Sequence, residues 1–249
     1  MRGHEDQSLD LTTIERLELL YTGKAKSLYR TNDPDVLWVE FRDDLTAGNG
    51  KKRGQAAGKG AINAKITAHL FRYLENEGVR THFLKARSPN VHIVRAVQIL
   101  PLEVVVRNIA AGSLVKRIGW EEGRVLPKPL IEWYYKRDDL GDPLLSEAHI
   151  ALISLVDIPT LRLIEEQAMR INALLQKKFS DVGIVLVDFK LEFGRLPSGD
   201  IILADEISPD TCRLWDASTR KVYDKDRFRK DMEGVLDAYQ EVARRLGVL

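Results

Sequence analysis

The sequence predicts an α+β fold, because strand-like and helical stretches occupy separate parts of the chain. Short segments with β-sheet patterning fill residues 17–41 and are separated by turn residues. Residues 161–179 and 226–246 instead carry apolar side chains three and four positions apart, which is the spacing of an amphipathic helix. Between these two helices, residues 184–210 have the pattern of a β-hairpin. Such segregated strands and helices are typical of α+β proteins.

Composition excludes several classes of protein. The 249 residues are 44% hydrophobic and 30% charged with a net charge of +1, so no overall field draws the chain to nucleic acid or to an acidic membrane. No stretch approaches the length of a membrane span, and the polar N-terminus lacks a signal-peptide core. The single cysteine, Cys212, excludes internal disulfides, and its neighbours do not mark an activated thiolate. We therefore expect a cytoplasmic protein with an inert thiol.

The first predicted strands contain the tetrapeptide Gly23-Lys24-Ala25-Lys26. Its two lysines alternate onto one strand face, and its glycine lets the backbone approach a ligand. Lysine is a compact charge that suits phosphate. The tetrapeptide therefore fits a phosphate-binding strand, although exposed strand lysines more often serve solubility alone.

A glycine-rich basic segment follows over residues 43–60. The phosphate loop of nucleotide hydrolases needs four residues between its glycines, whereas three separate Gly54 from Gly58. The dinucleotide fingerprint needs two residues where three separate Gly50 from Gly54. The segment is therefore either a mobile flap over an anionic ligand or a solvated surface loop.

An anion site is predicted where an apolar strand ends at Arg107. The elements before it are a helix over residues 62–77 and strands over residues 91–97 and 102–106, separated by Pro101. After Arg107, a turn of small residues leads to Ser113, which we place as the N-cap of a short helix ending at Gly119. An arginine fork and a helix N-terminus both suit phosphate or carboxylate. The alternative is an edge arginine beside an ordinary helix cap.

Within the hairpin over residues 184–210, polar and apolar residues alternate strictly from residue 188 to residue 193. The run Asp188-Phe189-Lys190-Leu191-Glu192 places its three polar side chains on one strand face. If Ser198-Gly199 is a two-residue turn, Glu192 stands opposite Asp205. Two opposed carboxylates repel each other, and a Mg²⁺ ion shared with substrate phosphates would relieve that repulsion. A solvated hairpin face is the alternative.

Seven stretches together resemble the SAICAR synthetase family, the phosphoribosylaminoimidazole-succinocarboxamide synthases of purine biosynthesis. In the order of the family, they are YTGKAKSLYR, EFRDDLTAGNGKKR, PLEVVVRNIAAGSLVKR, KRDDLGDPLLSE, LVDFKLEFG, ADEISPDTCRLWD and DKDRFRKD. The resemblance extends over nearly the whole chain and implies an ATP-dependent ligase. Such an enzyme joins 5-amino-1-(5-phosphoribosyl)imidazole-4-carboxylate (CAIR) to L-aspartate and releases ADP and phosphate.

The resemblance also implies roles for individual residues. The implied ATP-binding residues are Gly23, Lys24, Ala25 and Lys26. The implied ribonucleotide-binding residues are Arg107, Ser113, Arg213 and Asp142, the last from a charged loop that otherwise reads as a solvated turn. Lys190 and Asp188 lie near the reacting groups as catalytic residues, and Glu192 and Asp205 ligate Mg²⁺. No motif assigns the contacts to free aspartate.

The implied architecture has two lobes with the active cleft between them. A smaller strand-rich lobe over residues 1–85 contributes to ATP binding, and a larger α+β lobe over residues 86–249 holds the ribonucleotide and the metal. The expected partners are ATP, CAIR and L-aspartate, with neither nucleic acid nor membrane. A homo-oligomer is left open.

Two other functions fit parts of the sequence. Asp188-Phe189-Lys190 echoes the metal-binding triplet of kinases, but the sequence lacks the His-Arg-Asp loop and the Gly-rich ATP loop of those enzymes. The basic segment suggests an RNA-binding module, which the near-zero net charge opposes. We therefore expect the ligase rather than a phosphotransferase or an RNA-binding protein.

Overall fold

The protein is described by a computed structural model over residues 10–48 and 50–249. The strands are β1 (Arg16–Thr22), β2 (Lys26–Thr31), β3 (Val36–Phe41), β4 (Asp44–Ala47), β5 (Lys52–Gln55), β6 (Phe83–Ser88), β7 (Val91–Arg95), β8 (Gln98–Ile109), β9 (Val125–Tyr135), β10 (Leu144–Leu145), β11 (Ile184–Arg195), β12 (Ile201–Ala204) and β13 (Cys212–Asp216). The helices are α1 (Lys59–Asn76), α2 (Ser113–Ile118), α3 (Glu147–Leu152), α4 (Ile158–Ser180), α5 (Asp226–Arg229) and α6 (Val235–Arg245), with a 3₁₀ turn over Asp138–Leu140. The predicted α+β fold is confirmed.

The N-terminal sheet is antiparallel, with the strand order β1-β2-β3-β7-β6. β1 is its exposed edge, while α1 packs against β3, β6 and β7. The sheet continues to the end of β7, ten residues beyond residue 85, and the two-lobe division stays a prediction. The glycine-rich segment forms a separate hairpin in which β4 pairs with β5, so it is more regular than the predicted loop.

The second sheet is built around β11, which pairs with β8 on one edge and with β12 and β13 on the other. Its order is β10-β9-β8-β11-β12. Phe189, Leu191 and Phe193 alternate into the main core, where α4 packs over β11. The opposite face of β11 carries the polar side chains toward solvent and ligand, as the alternation predicts.

Two of the three predicted long helices are present and the third is interrupted. The predicted helices over residues 62–77 and 161–179 appear as α1 and α4, and Asp157 caps α4 by accepting the Thr160 N–H at 2.7 Å. The predicted closing helix over residues 226–246 is wrong as one element. It breaks into α5 and α6 because Asp231 and Gly234 adopt φ values of 55° and 70°, which an α-helix does not accommodate. Within the described residues, no helix is long and apolar enough to span a membrane.

Pro101 does not separate two strands, because β8 runs through it. The register between β8 and β11 slips between the pairs Glu192–Glu103 and Gly194–Ile99, so one residue of β11 lies opposite three of β8. The proline therefore lies at an irregularity in the ladder, one of the places where a sheet tolerates it.

The hairpin between β11 and β12 has a longer turn than predicted. Leu196 and Asp200 close a five-residue loop, and the Leu196 N–H donates to the Asp200 carbonyl at 2.9 Å. The register shifts by one residue, so Glu192 pairs with Ala204 rather than with Asp205. On the other edge of β11, Glu192 faces Glu103 of β8. The predicted carboxylate pair is therefore wrong in its partner, although two carboxylates do oppose each other.

Candidate active site

A cleft of about 810 Å³ lies where the two sheets meet. It gathers all of the predicted site residues except Ser113, namely Gly23, Lys24, Ala25, Lys26, Arg107, Asp142, Asp188, Lys190, Glu192, Asp205 and Arg213. One wall is apolar and includes Leu28, Val39, Val94 and Val97. The cleft thus joins an apolar surface that suits a flat ring to charged groups that suit phosphate.

The Gly23–Lys26 tetrapeptide forms a turn that leads into β2 at Lys26, not the predicted strand, and it brings both of its lysines to the cleft. The Gly23 N–H donates to the Lys26 carbonyl at 2.8 Å, which closes the turn between β1 and β2. Lys24 pairs with Asp138 at 2.6 Å and lies 3.8 Å from Asp142. Lys26 is more enclosed and pairs with Asp205 and, at 3.1 Å, with Glu206.

Asp142 lies at the end of the loop after β9. Its φ of 49° is left-handed, and its carboxylate accepts the Arg137 N–H at 3.0 Å. These constraints hold the side chain beside Lys24 at the rim of the cleft. The acid cluster predicted from sequence therefore neutralises a cleft lysine.

Lys190 is the centre of a carboxylate cluster on the cleft floor. Its ammonium lies 2.7 Å from Glu192, 3.1 Å from Glu103 and 3.6 Å from Asp205. Lys136 adds a second cation to Glu192 at 3.0 Å. The repulsion between Glu192 and its cross-strand neighbour Glu103 is thus compensated by lysines.

Burial and charge act in opposite directions on this cluster. Burial alone would raise the pKa of Asp205, but the neighbouring charges of Lys26 and Lys190 outweigh it and leave that pKa well below its usual range. Burial would lower the pKa of Lys190, and the charges of Glu192, Asp205 and Glu103 raise it instead. Asp205 and Lys190 therefore stay ionised near neutral pH.

Among the described residues, no group of three or more His, Cys, Asp or Glu side chains is arranged as a metal site. Glu192 and Asp205 nevertheless share Lys190 as a partner, so both carboxylates face one point in the cleft. Paired carboxylate oxygens beside a phosphate site are donors that suit Mg²⁺. The donor set fits the ion, and its binding stays a prediction.

Asp188 holds two arginines on neighbouring strands. In the sheet register it lies beside Arg107 of β8 and beside Arg213 of β13. Its carboxylate accepts from Arg107 Nη1 at 2.7 Å and from Arg213 Nη1 at 2.8 Å. Arg213 also donates through Nε to Asp226 at 2.9 Å. The site residues that the motifs name separately are therefore joined in one buried network.

Ser113 differs from its predicted role. Gly112, with a φ of 57°, is the N-cap of α2, and Ser113 is the first helical residue with no capping hydrogen bond. The Ser113 hydroxyl instead accepts from Arg107 Nη2 at 3.0 Å and from Arg117 Nη1 at 3.1 Å. A side chain at position 112 would overlap the guanidinium of Arg213, so glycine is required there for space as well as conformation.

Sequence reasoning missed several charged residues of the cleft. Glu103, Lys136, Glu206, Lys225 and Arg229 all line it. Lys225 is buried and has Asp210 at 3.9 Å, and burial lowers its pKa. The block DKDRFRKD contains Lys225 and Arg229 and was the available signal, but helical spacing does not distinguish a charged residue that lines a cleft from one on a solvated helix face.

An apolar wall beside clustered lysines, arginines and carboxylates defines an enzyme cleft for phosphorylated small molecules. The sequence matches the profile of the SAICAR synthetase family over residues 19–246. Phosphoribosylaminoimidazole-succinocarboxamide synthases from Coprothermobacter proteolyticus and Anoxybacillus flavithermus are 51% and 52% identical, over 94% and 95% of this chain and 99% and 98% of theirs.

Solved structures agree with the sequence comparison. The synthase from Ehrlichia chaffeensis superposes with a TM-score of 0.92 at 43% identity, covering 93% of this chain and 99% of its own. A SAICAR synthetase in complex with ADP superposes with a TM-score of 0.89 at 46% identity, covering 92% and 97%. The chain therefore belongs to the SAICAR synthetase family, and the predicted family and enzyme class, an ATP-dependent ligase of purine biosynthesis, are confirmed.

Proposed function

We propose that the cleft joins CAIR to L-aspartate in two steps, with an acyl phosphate between them. The observation that carries this proposal is the spacing along β11. Asp188, which holds the two arginines, and Lys190, which anchors the carboxylate cluster, are two residues apart on one strand face. A ribonucleotide phosphate at the arginines would therefore leave its imidazole carboxylate near the lysines that face the ATP phosphates.

ATP occupies the end of the cleft nearer the N-terminal sheet in this proposal. The apolar wall of Leu28, Val39 and Val94 takes the adenine, and Lys24 and Lys26 face the phosphates. A superposable relative was solved in complex with ADP, which supports nucleotide binding by this fold. The glycine-rich hairpin lines the same end through Thr46 and Gly48, where it would keep water from the reacting groups.

Mg²⁺ would be held by Glu192 and Asp205 together with the ATP phosphates. The ion would neutralise charge on the transferred phosphoryl group. Lys190 keeps the two carboxylates directed at one point and lies beside the reacting groups itself. Asp188 acts through its arginines, because its oxygens accept from both of them.

The ribonucleotide phosphate would lie at Arg107, Arg213 and Ser113, with Asp142 at the rim as a further polar contact. Arg107 donates to Glu132 and Asp188 through Nε and Nη1, and to the neutral hydroxyls of Ser113 and Tyr134 through Nη2. Displacing a hydroxyl costs less than displacing a carboxylate, so phosphate would approach Arg107 at Nη2.

Neither step of the proposed reaction requires a nucleophilic side chain from the protein. A carboxylate oxygen of CAIR attacks the γ-phosphorus of ATP, and the bond from that phosphorus to the bridging oxygen breaks to release ADP. The aspartate amine then attacks the acyl carbon and expels phosphate, which keeps the CAIR oxygen, and the amine loses a proton. Positioning and charge neutralisation are the main requirements, and lysines, arginines and the metal supply them.

The test is an omission series with purified protein, ATP, Mg²⁺, L-aspartate and CAIR. Steady ADP release is expected only when all are present, and CAIR labelled with ¹⁸O in its carboxylate should pass one label to the released phosphate. Label lost to water, with none in the released phosphate, would overturn the acyl phosphate. ATP turnover that leaves phosphate on a protein or sugar without aspartate would instead favour a kinase-like enzyme.

The proposal also includes the cellular location of the enzyme and its division into lobes. We propose a cytoplasmic enzyme, because its one cysteine is buried and the chain needs no disulfide. We also keep a division into two lobes with ATP contacts from the first lobe, and move its boundary from residue 85, which lies inside β6, to the end of β7. Limited proteolysis would test the division, since first cleavage between β7 and β8 should release two compact fragments, and cutting elsewhere first would contradict it.

A further inference from the structure

Glu132 of β9 lies behind the arginines of the proposed phosphate site and belongs to none of the predicted roles. It is buried, and its carboxylate accepts from Arg107 Nε at 2.7 Å, from Arg117 Nη2, and from the Tyr134 hydroxyl at 2.9 Å. A buried carboxylate with three donors is a fixed point rather than a solvated acid. Its neighbours therefore take their orientation from it.

The Tyr134 hydroxyl extends this arrangement. It donates to Glu132 and accepts from Arg107 Nη2 at 3.3 Å and from Arg117 Nη1 at 3.0 Å. The Ser113 hydroxyl accepts from the same two nitrogens. Two guanidinium groups therefore converge on two hydroxyls, with Glu132 directly behind them.

The donor inventory of Arg107 shows what this convergence does. A guanidinium has five N–H groups. Nε and Nη1 donate to Glu132, Asp188 and the Ala111 carbonyl, so the carboxylates fix the plane of the group. The Nη2 edge faces only neutral hydroxyl oxygens, and Arg117 directs its Nη1 at those same oxygens. An anion at Ser113 would therefore meet two arginines at once.

We propose that Glu132 is a positioning residue for the ribonucleotide phosphate, which orients Arg107 and draws Arg117 into the same site. This rests on the proposed function, since it takes the phosphate of CAIR as the anion. Arg117 becomes an additional phosphate-binding residue. The Tyr134 hydroxyl links Glu132 to both arginines, because it donates to the carboxylate and accepts from the two guanidinium groups. Glu132 itself faces away from the anion and touches neither substrate.

Burial and charge are consistent with a permanently ionised Glu132. Burial would raise the pKa of Glu132, but the charge and hydrogen bond of Arg107 outweigh it and lower that pKa. One carboxylate can then face both guanidinium groups throughout the neutral range.

The test compares substrate use in Glu132→Gln, Tyr134→Phe and Arg117→Met. Glu132→Gln keeps the size of the side chain but loses the charge shared by two arginines. We expect the KM for CAIR to rise by about 10- to 100-fold and the KM for ATP to stay within about twofold. Tyr134→Phe should raise the KM for CAIR by about 3- to 10-fold. Asp216→Asn is the matched control, because it removes a carboxylate paired with Arg245 at 2.7 Å away from the cleft.

A double-variant cycle separates positioning from support of the fold. If Glu132 acts through Arg117, the effect of Glu132→Gln on the KM for CAIR should be smaller in the Arg117→Met background. Effects that multiply independently, or equal rises in both KM values, would overturn the proposal. If Glu132→Gln does not fold, the Tyr134→Phe variant tests the proposal in its place. An unchanged KM for CAIR in Tyr134→Phe would then overturn the proposal.

Binding of CAIR alone, measured by calorimetry, keeps this inference separate from the proposed function. The wild type should bind more tightly than Glu132→Gln by the same 10- to 100-fold, at about 1.4 kcal/mol per tenfold change. Equal binding by both proteins, or no binding by either, overturns the role of Glu132. If the expected difference in CAIR binding is found but ADP release does not depend on aspartate, the ligation mechanism is wrong and the role of Glu132 stands.

Discussion

Lys59 and Asp210 form a buried ion pair that joins the start of α1 to the segment before β13. Lys59 has 0% of its side chain exposed and Asp210 3%, and their charged atoms are 2.5 Å apart. Asp210 also accepts from Asn63 Nδ2 at 2.9 Å and from the Tyr239 hydroxyl at 2.8 Å, and Lys225 lies at 3.9 Å. Replacing Lys59 with methionine would leave Asp210 charged and buried with these weaker partners.

The expected cost follows from what remains around Asp210. Removing one partner of a buried pair costs about 3–5 kcal/mol, because the other charge is left uncompensated. Two hydrogen bonds and Lys225 survive, so we expect the lower end, about 3 kcal/mol. For a chain of this length, about 2–4 °C per kcal/mol gives a fall in Tm of about 6–12 °C. Thermal melts and urea titrations of the wild type and Lys59→Met measure it.

Lys177→Met is the matched control, because it makes the same replacement in an exposed pair. Lys177 and Asp181 are 2.7 Å apart with 70% and 56% of their side chains exposed. Its cost should stay within about 0.5 kcal/mol. If Lys59→Met costs no more than Lys177→Met, burial does not set the strength of this pair and the reasoning is wrong.

The pH dependence gives a second check. Burial would raise the pKa of Asp210, but the charges of Lys225 and Lys59 lower it overall. A depressed carboxyl pKa contributes stability that is present above the unfolded value of about 3.9 and is lost as the pH falls through the folded value. The stability difference between wild type and Lys59→Met should therefore be largest near neutral pH and shrink as acidification protonates Asp210. A difference that grows on acidification would contradict this sign.

Three further outcomes are expected. Glu192→Gln should retain the fold but reduce turnover by about 100-fold or more and raise the Mg²⁺ requirement, and an undiminished rate at ordinary Mg²⁺ would remove Glu192 from the metal site. Arg107→Lys should raise the KM for CAIR by about 10- to 150-fold while the KM for ATP barely moves, because lysine lacks the two-pronged donor geometry. Equal rises in both constants would place Arg107 in the ATP site or the scaffold. Cys212 should react with iodoacetamide far more slowly in the native protein than in urea, since burial raises its pKa, and rapid native labelling would contradict this.

Hydrophobic periodicity was sufficient to predict the elements whose buried face follows from the local sequence pattern. The alternation along β11 and the helical spacing along α1 and α4 each determine which face is buried, and the structure agrees with all three. The prediction of one closing helix was wrong because the helical spacing of apolar residues continues across Asp231 and Gly234. The left-handed backbone at these two residues interrupts the helix. Gly234 was a visible signal for a break, whereas nothing in the sequence marks Asp231 as left-handed.

The residues that line the cleft were largely predictable one at a time, but their charged partners were not. Glu103 and Glu132 lie 87 and 25 residues along the chain from Lys190 and Arg107, which they neutralise, and the pairing of strands brings them into contact. Asp226 instead reaches Arg213 from α5. A shift of one residue in the β11–β12 turn was enough to misplace the carboxylate opposite Glu192. Motifs name residues that touch ligand, whereas the compensating charges depend on long-range pairing.

The compensating charges follow from the physics of burying cations. A cleft for polyphosphates needs lysines and arginines, yet each uncompensated buried charge costs several kcal/mol. Carboxylates such as Asp188 and Asp205 neutralise those cations within the protein, and at Glu192 and Asp205 the same oxygens also suit Mg²⁺. Substrate phosphate must therefore compete with the protein's own carboxylates for these lysines and arginines. Because the competition involves enclosed pairs that salt screens only weakly, the KM for CAIR should respond less to ionic strength than a site made of exposed lysines would.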